Sequence, residues 1–193
     1  MIIRKLYEFE NAHIVRLCGS KRCRTSIHGH SYRCEILLSS NFLDEAGMVY
    51  DFGYMKLGIR ELIDSFDHAV TIYARDDTSY IADLKKHSAR WVQIPLNPSA
   101  EQFCRIFFVL IDRLLSLTQM QNGEREVKLH SVIVHETATG YAQCFRDDAY
   151  NAQMGEIALD EIEFSPAVRE EWRQPELWRK LLRGEKIIYP KDC

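Results

Sequence analysis

Apolar and polar residues alternate in one stretch of the chain, and apolar residues recur at helical spacing in two others. Residues 2–12 are rich in Ile, Leu, Tyr and Phe and read as a first strand. Over residues 31–39, Tyr32, Cys34, Ile36 and Leu38 fall on one side, with Ser31, Arg33, Glu35 and Ser39 on the other. A period of two marks a half-buried strand. Residues 48–52 read as a short strand after a turn at 44–47. Met55, Ile59, Leu62, Ile63 and Phe66 predict a helix over 54–66. A stronger helix begins at Ser99, where Ser99 and Gln102 match a capping box. Its stripe is Phe103, Phe107, Leu110, Ile111 and Leu114, and it ends before Asn122-Gly123. Residues 127–136 and 141–145 read as a hairpin turned at 137–140. Residues 70–98 form a long mixed connection.

After about residue 150 the composition changes. Ser165-Pro166 and Gln174-Pro175 start two short amphipathic helices, and Gly184 stops the second. The order strand, strand, helix, helix, strand, strand predicts an α+β fold. It packs as an antiparallel four-stranded sheet with two helices on one face. The expected division is a catalytic domain over 1–150 and a helical C-terminal extension over 151–193. The uncovered sheet face calls for a partner, so an oligomer is expected.

Composition narrows the function classes. The net charge of −3 supplies no global basic field for nucleic acid. No apolar run reaches the roughly 18–20 residues that span a bilayer, and charge arrives at Arg4-Lys5, so a cytoplasmic protein is expected. The six cysteines are scattered through a chain too long to need disulfide staples. Cys34, Cys104 and Cys144 lie on patterned elements and read as core; His87, His130 and His135 read as surface or sheet residues.

The candidate chemistry gathers around His28-Gly29-His30. Residues two apart on a strand point the same way. If the strand reaches back to residue 28, both imidazoles share the face of Tyr32 and Cys34. His13 ends the first strand and comes beside them through antiparallel pairing. Three imidazoles with an open fourth position make a catalytic zinc pattern. Two alternatives stand beside it: ordinary histidines, or a closed structural site of Cys18, Cys23, His28 and His30. Cys23 lies between Lys21-Arg22 and Arg24, cations that favour a thiolate. Asp67-His68 reads equally as a solvated helix end, and Glu136 as a hairpin-end carboxylate following an apolar run. Glu101 sits in a first helical turn, where a carboxylate is favoured anyway.

The ordered set Phe9-Glu10-Asn11-Ala12-His13, Cys23, His28-Gly29-His30-Ser31-Tyr32, Gly47-Met48-Val49-Tyr50-Asp51-Phe52, Phe66-Asp67-His68, Ser99-Ala100-Glu101 and His135-Glu136-Thr137 resembles the 6-pyruvoyltetrahydropterin synthase / 6-carboxytetrahydropterin synthase family. The resemblance covers residues 2 to about 146. It implies a tunnelling fold (T-fold) that assembles from trimers, with active sites between subunits. It implies Zn2+ on His13, His28 and His30, with Cys23, Asp67 and His68 as catalytic residues. Glu136 would be catalytic and grip the pterin ring, and Glu101 would be a further substrate contact. The implied substrate is 7,8-dihydroneopterin triphosphate. The implied reaction is the carboxy synthase's lyase chemistry toward queuosine, with the pyruvoyl branch as its alternative. A non-enzymatic structural-zinc protein is the reading from another class. Three features depart from the family pattern: four residues between Cys23 and His28, which choose neither branch, the long 70–98 connection, and the tail.

Overall fold

A computed structural model of the chain describes residues 1–190. Cys193 and the end of the predicted extension lie outside the described residues. The elements are, in order, β1 (Ile2–His13), α1 (Lys21–Thr25), β2 (His28–Ser39), α2 (Gly58–Asp64), β3 (Ala69–Tyr73), α3 (Thr78–His87), β4 (Trp91–Ile94), α4 (Ala100–Leu117), β5 (Lys128–His135), β6 (Tyr141–Cys144), α5 (Arg146–Ala149), β7 (Glu163–Phe164), α6 (Pro166–Glu170) and α7 (Leu177–Arg183).

The fold is α+β, but the expected four-stranded antiparallel sheet is corrected to seven mixed strands in the order β6-β5-β2-β1-β3-β4-β7. The four antiparallel strands β6-β5-β2-β1 are those expected from the sequence, β2 from its alternation, β1 from its apolar richness, and β5 and β6 as a hairpin. β3 joins β1 in parallel at Asn11–Ala12 only, and β4 joins β3 in parallel. The missing strands lie in the 70–98 connection, which folds as β3-α3-β4. Parallel strands are buried on both faces and lose their alternation. Four of the five β3 residues are buried, so no period of two marks them.

The predicted strand over 48–52 is also corrected. The Asp44 carboxylate accepts backbone N–H bonds from Ala46 (2.9 Å) and Met48 (2.7 Å), and Asp51 accepts from Gly53 (2.6 Å). These local bonds hold the segment as turns and divert backbone groups from a ladder. Val49 and Tyr50 are buried there all the same. The 54–66 helix divides into a 3-10 turn at Tyr54–Lys56 and α2. At the break, a side chain on Gly58 would strike the Tyr189 hydroxyl at 2.2 Å. The close approach of the tail therefore requires glycine.

The helices also divide between two faces. α2 and α4 cover the face that presents Tyr7, Phe9, Tyr32, Cys34, Ile36 and Leu38, all buried in one core. On α3, Ile81 and Leu84 pack against Val70, Ile72, Trp91 and Ala12, a separate cluster. Ala12 alternates with Asn11 and His13, so α3 lies on the opposite face. Ser99 caps α4 through Gln102 N–H at 3.4 Å, but the Gln102 side chain turns to Arg105 and Met154, leaving the box half made. After residue 150 the chain returns to the sheet. β7 pairs with β4, and Val168, Trp172, Leu177, Leu181, Ile187 and Tyr189 enter the main core. Both tail helices form: Ser165 caps α6, and Gly184 ends α7 with a φ of +71°.

Candidate functional site

The register of β1 with β2 builds the site. His13 stands opposite His28, and Asn11 opposite His30. β2 runs back to His28, so His28 and His30 share the face of Tyr32, as the spacing requires. Ring centroids lie 4.6 Å apart for His13–His28, 5.3 Å for His13–His30 and 5.2 Å for His28–His30. One ligand nitrogen from each ring lies within 4.8 Å of the others. A side chain on Gly29 would meet the Asn11 carbonyl at 3.1 Å, so glycine lets β2 lie close here.

Carbonyl groups set the tautomers. His13 Nδ1 lies 2.6 Å from the Pro98 carbonyl, and His28 Nδ1 lies 3.0 Å from the Ser26 carbonyl. A carbonyl only accepts, so both Nδ1 atoms carry protons and both Nε2 atoms present lone pairs. His28 Nε2 and His30 Nε2 are buried without a hydrogen-bond partner among the described residues. Orphaned acceptors of this kind are costly unless something else fills them. Burial, with smaller effects from His28 and His30, holds the His13 imidazole down at about 4. Burial likewise lowers His30, although Glu136 opposes it. The His13 and His30 rings are therefore neutral near pH 7, the form that binds a metal. Phe103 stacks on His13 at 6.1 Å, and Phe9 stacks on Tyr32 at 4.9 Å, closing the cluster's inner side with aromatic surface. The donor set, its neutrality and the orphaned nitrogens fit a metal ion. Neither Cys18 nor Cys23 joins the three-histidine group among the described residues, so the closed Cys₂His₂ arrangement is not assembled.

A cavity of about 400 Å³ opens beside the histidines. His28, His30, Cys23, Glu101 and Glu136 all line it. α1 presents Cys23, and the Cys23 carbonyl accepts from Val15 N–H at 3.1 Å, tying that loop to the end of β1. Glu136 follows β5, and its Oε1 lies 3.8 Å from both His13 Nε2 and His30 Nε2. The Tyr32 hydroxyl reaches the same oxygen at 3.4 Å. Burial, reinforced by Glu136, pushes the Tyr32 phenol well above its ordinary value, so it stays a neutral donor. Sequence reasoning placed Tyr32 in the core and missed it here; its shared period with His28 and His30 was the available signal. Nothing in the pattern pointed to the Ser26 and Pro98 carbonyls.

Asp67 and His68 lie elsewhere. His68 lines a shallow cavity of about 380 Å³ with Glu10, Ala12, Gly29 and Ser31, and Asn11 and His30 border it too. Glu10, Ala12 and Ser31 alternate with the inward residues, so the cavity opens toward the opposite sheet face, with His30 bordering both this cavity and the Cys23 cavity. His68 has a φ of +50°, and its N–H donates to the Glu10 carbonyl at 2.7 Å. Asp67 Oδ1 accepts from Glu10 N–H at 2.7 Å, and Asp67 Oδ2 lies 2.9 Å from His68 Nδ1. The carboxylate thus orients the ring and leaves Nε2 facing outward. Of the predicted residues, His13, His28, His30, Cys23, Glu101 and Glu136 come together; among the described residues, Asp67 and His68 do not line the Cys23 cavity, although His68 shares the second cavity with His30. His87 is exposed at a helix end, and His130 and His135 lie on β5. Cys34, Cys104 and Cys144 are buried.

A family described as 6-pyruvoyl tetrahydropterin synthase matches residues 2–147. A 6-carboxy-5,6,7,8-tetrahydropterin synthase of Helicobacter pylori is 35% identical over 190 residues, covering 98% of this chain and 95% of that protein. One from Aquifex aeolicus is 30% identical over 122 residues, covering 61% of this chain and 73% of that protein. The solved 6-pyruvoyl tetrahydropterin synthase of Plasmodium vivax has a TM-score of 0.56 at 20% identity, covering 76% of this chain and 98% of that chain. The Caenorhabditis elegans enzyme gives 0.53 at 19% identity, covering 75% and 94%. At such identity the structures establish likeness of fold. No helix among the described residues is long and apolar enough to cross a membrane.

Proposed function

Because the chain belongs to the 6-pyruvoyl tetrahydropterin synthase family, we propose that it is a zinc-dependent 6-carboxy-5,6,7,8-tetrahydropterin synthase. In this reading it converts 7,8-dihydroneopterin triphosphate and one water molecule to 6-carboxytetrahydropterin, releasing triphosphate and acetaldehyde, on a route to deazapurine nucleosides such as queuosine. The carrying observation is the three-histidine cluster, with two orphaned Nε2 atoms, on the wall of the cavity that holds Cys23 and Glu136. The relatives that share nearly the whole chain, tail included, bear the carboxy synthase name.

When bound, zinc supplies Lewis acidity to the hydroxyls of the substrate side chain. Cys23 removes a carbon-bound proton. Glu136 accepts the paired N–H groups of the guanidine-like pterin edge. Asp67 holds His68 Nδ1, so that Nε2 carries protons to and from the substrate. Lys21 and Arg22 are exposed with no partner among the described residues, and they draw in the triphosphate. Arg24 instead staples the loop, donating to the Gly19 carbonyl at 2.8 Å.

A second copy supplies the missing pair. Among the described residues, β1 has no strand partner over residues 2–9 on the edge away from β2, and β6 is paired on one side only. Open edges of this kind template strand pairing. Joining β6 of one copy to β1 of the next is a head-to-tail contact that closes into a ring. Gly140, Tyr141 and Ala142 at the β6 edge line the Cys23 cavity, while Glu10 at the β1 edge holds Asp67 and His68. The same pairing therefore brings one chain's Cys23 toward the next chain's His68.

Incubating the zinc-loaded protein with 7,8-dihydroneopterin triphosphate tests the reading. Acetaldehyde and 6-carboxytetrahydropterin are expected together. Triphosphate release without acetaldehyde would move the chain to the pyruvoyl branch, and no turnover would overturn the enzyme reading.

A further inference from the structure

The corner that carries Asp67 and His68 is braced from behind by a part of the chain beyond the family match at residues 2–147. α2 ends at Asp64, and the last carbonyls of a helix lack partners within it. The Asp64 carbonyl accepts from Asp67 N–H at 3.0 Å, and Arg90 adds a second donor to it and one to the turn that follows. Arg90 Nη2 donates to the Asp64 carbonyl at 2.8 Å and its Nε to the Asp67 carbonyl at 2.9 Å. The Asp67 carbonyl belongs to the peptide plane that leads into His68, so this bond fixes the plane about which the His68 φ of +50° is set. A non-glycine residue in that region persists only where its surroundings hold it. A rigid planar fork suits the task, because one side chain must reach two carbonyls at once.

Three consecutive tail residues hold this brace. The Glu171 carboxylate accepts from Arg90 Nη1. The Trp172 indole N–H donates to Ser65 Oγ at 2.9 Å, with both residues buried. Arg173 N–H donates to Glu61 Oε1 at 2.7 Å. The tail thus binds α2 and the turn after it, while Arg90 is anchored at the head of β4 through Val70 N–H and its own carbonyl. With the Glu171 side chain 65% exposed, its ion pair adds little stability. Its effect is to aim the guanidinium.

We infer that Arg90, held by the 171–173 segment, is a positioning residue for the Asp67–His68 pair. The inference rests on the reading of that pair as the proton-transfer group. The test compares Arg90→Ala, Arg90→Lys and Glu171→Gln in the full-length, zinc-loaded enzyme on 7,8-dihydroneopterin triphosphate. Arg90→Ala is expected to lower kcat about tenfold, the scale of a small misplacement of a reacting group. KM should stay within about twofold, zinc content should be unchanged, and the pH profile of kcat should shift. Arg90→Lys keeps the charge without the fork and is expected to be nearly as slow, so it carries the test if the alanine variant does not fold. Glu171→Gln should give a smaller fall in kcat. In a His68→Ala background, Arg90→Ala should add no further loss, because it acts through a ring that is gone. Wild-type kcat and pH profile in a folded Arg90 variant would overturn the inference, as would independent, multiplying losses in the double variant. Full turnover by His68→Ala alone would instead overturn the parent reading.

Discussion

The histidine cluster and the Asp67–His68 corner are built on opposite plans. The cluster grows from regular strand register: His13 opposite His28, with His30 two residues on. Two of its nitrogens, His28 Nε2 and His30 Nε2, are buried without a hydrogen-bond partner among the described residues. The corner grows from an irregular turn, with His68 in a left-handed conformation and its side chain 74% exposed. Its backbone and carboxylate groups are nonetheless well bonded, to Glu10 and Arg90. The cluster therefore waits for a ligand, whereas the corner is a braced group waiting for a neighbour. One chain is enough to assemble the three histidines, whereas the proposed reading takes two chains to bring a thiol and an imidazole to the same substrate.

The strongest test of the cluster is to remove a ligand. His13→Ala should abolish zinc retention after dialysis, weakening affinity by more than the roughly 10–100-fold that outer-shell partners cost. Turnover should vanish with the metal. Full zinc content in His13→Ala, measured by elemental analysis, would break the first half of the comparison.

Next in size is loss of the two proposed proton-transfer groups. Cys23→Ala and His68→Ala should each keep zinc and lose roughly 10²–10⁴ in kcat. Their mixture sharpens the contrast. Co-assembly of the two dead variants should restore roughly a quarter of the sites, since a head-to-tail contact draws Cys23 and His68 from different chains. A mixture as inactive as its components would place both groups in one chain and remove the need for a ring.

A smaller effect belongs to the metal-free cluster. His13 sits at about 4 in the folded chain, against 6.5 for the ordinary value. Between these values the unfolded chain binds a proton that the folded chain refuses, so stability falls as pH is lowered through that window. The drop approaches roughly 2–3 kcal/mol at the lower end. Urea unfolding of zinc-stripped protein at pH 7 and pH 4.5 measures it, and His13→Phe should flatten the dependence. An equal slope in both proteins would mean that the imidazole is not buried neutral.

The two plans also explain what could be read in advance. His28-Gly29-His30 continues the alternation of Tyr32, Cys34, Ile36 and Leu38, so both the face and the cluster were legible. The stripe of α4 was legible for the same reason, since one face meets the core. β3 and β4 were not, because strands buried on both faces carry no alternation, and α3 buries no residue fully. Residues 48–52 misled because Val49 and Tyr50 are buried like strand residues while Asp44 holds the backbone in turns. The Asp67–His68 corner was legible only as a helix end. Its left-handed turn falls on a histidine, without the glycine that usually announces one.

That histidine gives the finest test of the comparison. A non-glycine residue with positive φ carries a backbone cost of order 1 kcal/mol or more. The corner bears this cost at His68, with a φ of +50°. His68→Gly removes it and loses a mostly exposed side chain whose contact with Asp67 is worth little. His68→Ala loses the same side chain and keeps the strain. The glycine variant should therefore be more stable than the alanine variant by about 1 kcal/mol, or roughly 2–4 °C in Tm for a chain of this size. Both should be equally slow, so stability and activity part company at one position. Equal melting temperatures would mean that the turn is relaxed, and that the bonds from Glu10 and Arg90 hold a conformation the histidine would adopt unaided.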